Sequence, residues 1–154
     1  MNEIDILMKR GLALPKPQYE QAVLPPDITE LSSEDLAIMF TTLTGWADYF
    51  ASQLVQAQLR EREAQRALDL AENKLLITKM GVASKGSTVS LAKAQIATDP
   101  EILKLGDIYE ERYAYRKILE MMVSNQERDI TLVSREITRR TNESRMGRRD
   151  TFIT

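Results

Sequence analysis

Stepping from Leu36 by alternating fours and threes meets Phe40, Leu43, Ala47, Phe50, Leu54, Ala57, Glu61, Ala64, Leu68, Ala71 and Leu75, and eleven of these twelve positions are apolar. Apolar residues that return every 3.5 positions line one stripe of a helix. The run therefore predicts a single long amphipathic helix with a coiled-coil-like seam. Ser32 is placed to cap its start, Asp35 three positions later approximates a capping box, and Glu34 and Asp35 suit the positive helix end. Gly81 supplies the stop. A helix from about Ser33 to Met80 would run about 70 Å at about 1.5 Å per residue.

A second seam reads Ile102, Leu105, Tyr109, Arg112, Arg116, Leu119, Val123, Gln126, Ile130, Val133, Ile137 and Arg140, with eight of twelve positions apolar. Asp99-Pro100-Glu101 opens it, Asp99 as cap and Pro100 in the first helical position, where its missing N–H costs nothing. The pattern fades after about Ile137, and Gly147 discourages further helix. Between the seams, Gly81 to Thr98 is small and polar, with one short helical stretch over Leu91–Ile96.

Pro15, Pro17, Pro25 and Pro26 forbid a continuous helix ahead of Leu31, although Leu12, Leu14, Val23 and Leu24 give that segment apolar residues to dock with. The expected organisation is a Pro-rich arm over 1–31, a helical hairpin and oligomerisation domain over 32–140, and a basic tail over 141–154. The fold class is all-α: two long amphipathic helices in an antiparallel hairpin with a short connector helix, oligomerising through coiled-coil-like packing. Leu36, Phe40, Leu43, Trp46, Phe50, Leu54, Tyr109, Leu119, Ile130 and Val133 are the expected packing residues. Two helices make a thin core, so Ile38, Met39, Trp46, Met121 and Met122 call for a further partner, and self-association is the simplest supply.

Composition narrows the chemistry. Cysteine and histidine are both absent, which excludes disulfides, zinc–thiolate sites, thiol nucleophiles and the commonest acid–base group. Without a positive feature for a cofactor, a metal or a substrate pocket, the expectation is a non-enzymatic protein. No run approaches the roughly 18 apolar residues of a spanning helix, and Met1 to Arg10 lacks the basic-then-apolar order of a signal peptide, so a cytoplasmic protein is expected.

The net charge of -2 hides a sorting of charge along the chain. Residues 1–72 carry 12 acids against 6 bases, 73–98 carry 4 bases and no acid, 99–134 carry 8 acids against 5 bases, and 135–154 carry 3 acids against 6 bases. Two basic regions thus stand in an acidic chain. Lys74, Lys79, Lys85 and Lys93 form the first candidate surface for phosphates. Arg135, Arg139, Arg140, Arg145, Arg148 and Arg149 form the second. An ordinary solvated loop and a solvated helix end are the competing readings of the two regions. Gly81-Val82-Ala83-Ser84-Lys85-Gly86-Ser87 superficially resembles a phosphate-binding loop, but no lysine follows its second glycine and no strand precedes it.

Two further constellations invite a role. A hairpin turning near residue 89 would set Glu61, the one charged interruption of the first seam, opposite about residue 117, close to Arg116 and Arg112. An ion pair that fixes register is one reading; a loosened seam with all three side chains in water is the other. Tyr109, Tyr113 and Tyr115 alternate with Arg112 and Arg116, a pattern that stacks unpaired bases in some proteins. Glu110 and Glu111 would repel phosphate, and interface packing is the favoured reading.

The order of features resembles the UvsY-like recombination mediators of phages. The likeness covers roughly 31–140: Ser32-Ser33-Glu34-Asp35-Leu36, an aromatic helix around Trp46-Ala47-Asp48-Tyr49, a Gly-containing basic connector, Ala97-Thr98-Asp99-Pro100-Glu101-Ile102, and an amphipathic helix through Tyr113 to Leu119. It implies a ring-like homo-oligomer, in an infected bacterial host, that binds single-stranded DNA, contacts a single-strand-binding protein and helps to load a RecA-like recombinase without catalytic residues or cofactor. The family's DNA-contacting stretch would fall on Lys74, Lys79 and Lys85. A helical scaffold or chaperone that binds another protein and no nucleic acid is the alternative from a different class.

Overall fold

The computed structural model describes residues 5–6, 9–10, 13–82 and 88–150, side chains at 82 and 148–150 excepted. Among them the order is a 3₁₀ turn over Ile28–Glu30, α1 over Ser33–Val82, α2 over Val89–Ile96 and α3 over Pro100–Asp150, with no strand. The two long helices, of 50 and 51 residues, pack against each other. Contacts divide the chain into two units, 1–53 with 119–154 and 54–118.

The starts of the two long helices form as the sequence predicts, and the short helix begins two residues before the expected Leu91. The Ser32 hydroxyl accepts from the Asp35 N–H at 3.0 Å and donates to the Asp35 carboxylate at 2.7 Å. Asp99 Oδ1 accepts from the Glu101 N–H at 2.9 Å, satisfying a donor that the first helical turn leaves open. The Thr88 hydroxyl caps α2 through the Leu91 N–H at 3.3 Å. Both seams turn inward as well: all twelve positions of the second are buried or half-buried, and in the first only Phe40 is exposed.

In the first unit the fully buried core is Leu36, Leu43 and Val133, with Met39, Ile130 and Ile137 packed on it. Each of the three fully buried side chains contributes about 1.5–3 kcal/mol through burial. Arg140 reaches Ser33 at the start of α1 and Ile137 lines a small cleft with Leu36, so the helices run antiparallel here. Trp46, Tyr49 and Phe50 form an aromatic cluster with ring centroids 5.4–5.8 Å apart.

The arm completes this unit. Ala22, Leu24 and Leu31 pack on the core cluster, the Leu14 N–H donates to Ser52 Oγ at 3.1 Å, and the Lys16 ammonium lies 5.7 Å from the Trp46 ring centre. Part of the cover that Trp46 requires is thus supplied by this chain's own arm, and Met39 packs on the core cluster. Ile38 and Met121 remain 58% exposed.

In the second unit Ala57, Ala92, Ile96 and Ile102 are buried, so α2 turns its small and apolar face inward. Lys93 and Ile96 of α2 and the following Ala97 share a cleft of about 350 Å³ with Glu72, Asn73 and Leu76 of α1.

One expectation needs correction. The second helix does not fade near Ile137; it continues to Asp150, through the segment read as a basic tail. Arg139 pairs with Glu136 and Glu143, and Arg140 with Glu136, at the three- and four-residue spacings that stabilise helices. A lone glycine at 147 costs only about 1 kcal/mol against that support.

Candidate nucleic-acid interface

The first basic region lies in the second unit, at the end of α1 and on α2. Lys74 and Lys93 are exposed and Lys79 is half-buried. Lys85 falls outside the described residues. Five positions turn a helix by about 140°, so Lys74 and Lys79 point to different sides of α1. Lys93 shares its cleft with Glu72, whose carboxylate lies just before the acid-free stretch. Lys74 and Lys79 therefore do not share one flat patch.

The second basic region lies in the first unit and is partly consumed by internal contacts. Glu136, only 6% exposed, accepts from Arg139 Nε at 2.8 Å, Arg139 Nη2 at 2.7 Å and Arg140 Nε at 2.7 Å. These guanidinium hydrogen bonds, Arg139 first, hold the Glu136 carboxyl down at about 2, and the same carboxylate, with Glu143, raises Arg139 above its ordinary value. Arg140 Nη2 also donates to the Thr29 carbonyl at 2.9 Å, and its Nη1 approaches Ser33 Oγ at 3.4 Å.

Arg140 is therefore a clamp between the arm and the helices. Arg135 and Arg145 are exposed; the side chains of Arg148 and Arg149 lie outside the described residues. In the sequence Glu136 is one of the three acids among the six bases of 135–154. The signal for its role was available in its spacing, three and four residues before Arg139 and Arg140.

The tyrosines are not arranged as a free stacking platform. Tyr109 is half-buried on the seam, 6.4 Å from Tyr113 between ring centres. The exposed Tyr113 ring is already covered by the Arg116 guanidinium at 5.0 Å and the Lys117 ammonium at 5.8 Å. Both cations sit one helical turn further along α3. Tyr115 is exposed.

Among the described residues, no group of three or more acidic side chains gathers as a metal site, and no helix is long and apolar enough to cross a membrane. The fold defines a protein of two long helices packed against each other, with the two candidate basic regions on separate units. No protein-family model matches the chain, and no match is found among curated proteins or solved structures.

Proposed function

We propose that the chain is a recombination mediator of the UvsY-like kind, a homo-oligomer that holds single-stranded DNA and promotes loading of a RecA-like recombinase in the cytoplasm of an infected bacterial host. The observation that carries this reading is the acid-free stretch from Asn73 to Thr98, with Lys74 and Lys93 exposed around a helix end. Phosphates are attracted to such a surface without any reading of bases. A single subunit offers few cations, so a ring-like assembly would supply affinity by multiplying weak contacts. Exposed apolar side chains, with Ile77 at 73% and Ile38 and Met121 at 58%, support coiled-coil-like association of copies. A single-strand-binding protein and the recombinase are the proposed protein partners, and no cofactor is assigned.

Fluorescence anisotropy with labelled oligo-dT tests the reading. Wild type should bind at low salt, with log affinity falling by about 0.7 per contacted phosphate for each tenfold rise in salt. A variant with Lys74, Lys79 and Lys85 changed to Ala should lose most of that dependence, while a chain ending at Asn142 assigns the remainder. A protein that ignores oligo-dT at low salt is not a mediator of this kind.

A second reading has one observation in its favour. The pairing of Arg139 and Arg140 with Glu136 and Glu143 offsets two cations of the second region, while large apolar side chains stay exposed on the same unit. A helical scaffold or chaperone that binds another protein would look the same. Oligomerisation without binding to any single strand would favour it.

A further inference from the structure

One cleft beside the first basic region is lined for more than phosphate. In the second unit Glu72, Asn73 and Leu76 of α1 share it with Lys93 and Ile96 of α2 and with Ala97, and it encloses about 350 Å³. Small-molecule sites run from roughly 300 to 1,000 Å³ and combine an apolar lining with a few polar groups. Here the apolar lining is Leu76, Ile96 and Ala97, with Ile96 buried, and the polar groups are a carboxylate, a carboxamide and an ammonium. Among the described residues no hydrogen bond or ion pair engages the side chains of Glu72, Asn73 or Lys93. A carboxylate repels phosphate, so a surface for phosphate alone has no use for Glu72 at its edge. A ligand that also brings hydrogen-bond donors has one.

We propose that this cleft takes one unstacked guanine base of the bound single strand. Guanine alone among the DNA bases presents two adjacent donors, N1–H and the N2 amine, and the two oxygens of the Glu72 carboxylate can accept from both. Asn73 then has amide donors for guanine O6, the apolar residues meet the ring face, and Lys93 meets a neighbouring phosphate. The other bases suit the carboxylate less well. Adenine and cytosine set a ring-nitrogen acceptor beside their amine, and thymine flanks its single N–H with two carbonyls, so each turns an acceptor toward Glu72. The preference for guanine rests on the single-strand binding proposed above and is added to phosphate contacts that read no sequence.

Fluorescence anisotropy at low salt, with labelled strands of one length, tests the site. Plain oligo-dT is compared with strands in which a few separated positions carry dG, dA, dC or deoxyinosine. The dG strand should bind about tenfold more tightly than the dA and dC strands, the discrimination of one bidentate base contact. Deoxyinosine keeps N1–H but lacks the N2 amine and should lose most of that gain. Glu72→Gln, a change at an exposed position, should abolish the preference and raise the affinity for plain oligo-dT, because a carboxylate that repels phosphate is gone. Equal binding of the dG, dA and dC strands by the wild type, or a dG preference that survives in Glu72→Gln, overturns the guanine site and leaves phosphate binding standing. A protein that binds neither oligo-dT nor the dG strand overturns both.

Discussion

Arg116 grips Glu61 from 55 positions further along the chain, its Nε and Nη2 both donating to the one carboxylate, the latter at 3.4 Å. The two side chains are only 15% and 14% exposed, each at a seam position where its helix would otherwise carry an apolar residue. A charged pair in an apolar seam penalises other registers, since sliding the helices by one turn would set Arg116 against Ala57 or Ala64.

Glu61→Ala should therefore cost about 1–3 kcal/mol, because it leaves Arg116 largely buried without this carboxylate. Replacing both with leucine should recover most of that loss and raise the tendency to form alternative registers. Urea unfolding of the three variants checks the energies. A Glu61→Ala protein as stable as wild type would show that the pair has no part in holding the seam.

The Glu136 carboxyl is held down at about 2 from an ordinary value of 4.5 by its hydrogen bonds to Arg139 and Arg140. A depressed carboxyl pKa stabilises the fold in full above the unfolded value and loses that contribution as pH falls through the folded one. Wild type should thus lose stability between about pH 4.5 and 2 more steeply than Glu136→Gln. Above pH 4.5 the variant should be the less stable protein by a constant amount. Melting curves by circular dichroism across this range decide it, and parallel curves for the two proteins would contradict the assignment.

The helices and their caps were legible because each rests on local rules: seam spacing, Ser32 and Asp99 at helix starts, Pro100 in the first turn. The Glu61–Arg116 pair was legible as one of two alternatives, since a short connector nearly fixes which residues face each other. What the sequence hid was set by contacts distant along the chain. Nothing near Trp46 shows that Lys16 will cover it, and nothing near Thr29 shows that Arg140, 111 positions later, will hold its carbonyl. The candidate phosphate surface suffered likewise. A run of six arginines in sequence becomes, in three dimensions, two exposed cations and two bound to Glu136, with the last two beyond the described side chains.

The clamp separates structural arginines from those free to meet phosphate. Arg140→Ala removes a charge-assisted bond to the Thr29 carbonyl and one of the partners of Glu136, and should cost about 1.5–3 kcal/mol. Arg145→Ala, at an exposed position, should stay within about 0.5 kcal/mol of wild type. In the oligo-dT titration Lys74→Ala should lower the salt slope by about 0.7, whereas Arg140→Ala should leave it unchanged. A lower slope for Arg140→Ala in a correctly folded protein would return Arg140 to the binding surface.

Two glycines inside long helices should respond differently to alanine, and the difference measures the arm. At Gly106 an added Cβ meets nothing within 4 Å, so Gly106→Ala should gain about 0.5–1 kcal/mol from helix propensity alone. At Gly45 the same gain is opposed by Tyr19, whose hydroxyl an added Cβ would strike, so that it must move and carry the arm with it. Gly45→Ala should therefore be less stabilising than Gly106→Ala, or destabilising. With Tyr19 changed to Ala first, Gly45→Ala should show the full helical gain, so the two sites couple while Tyr19 and Gly106 do not. Additive behaviour of Tyr19 and Gly45 in urea unfolding would mean that the arm does not lie against Gly45 in solution.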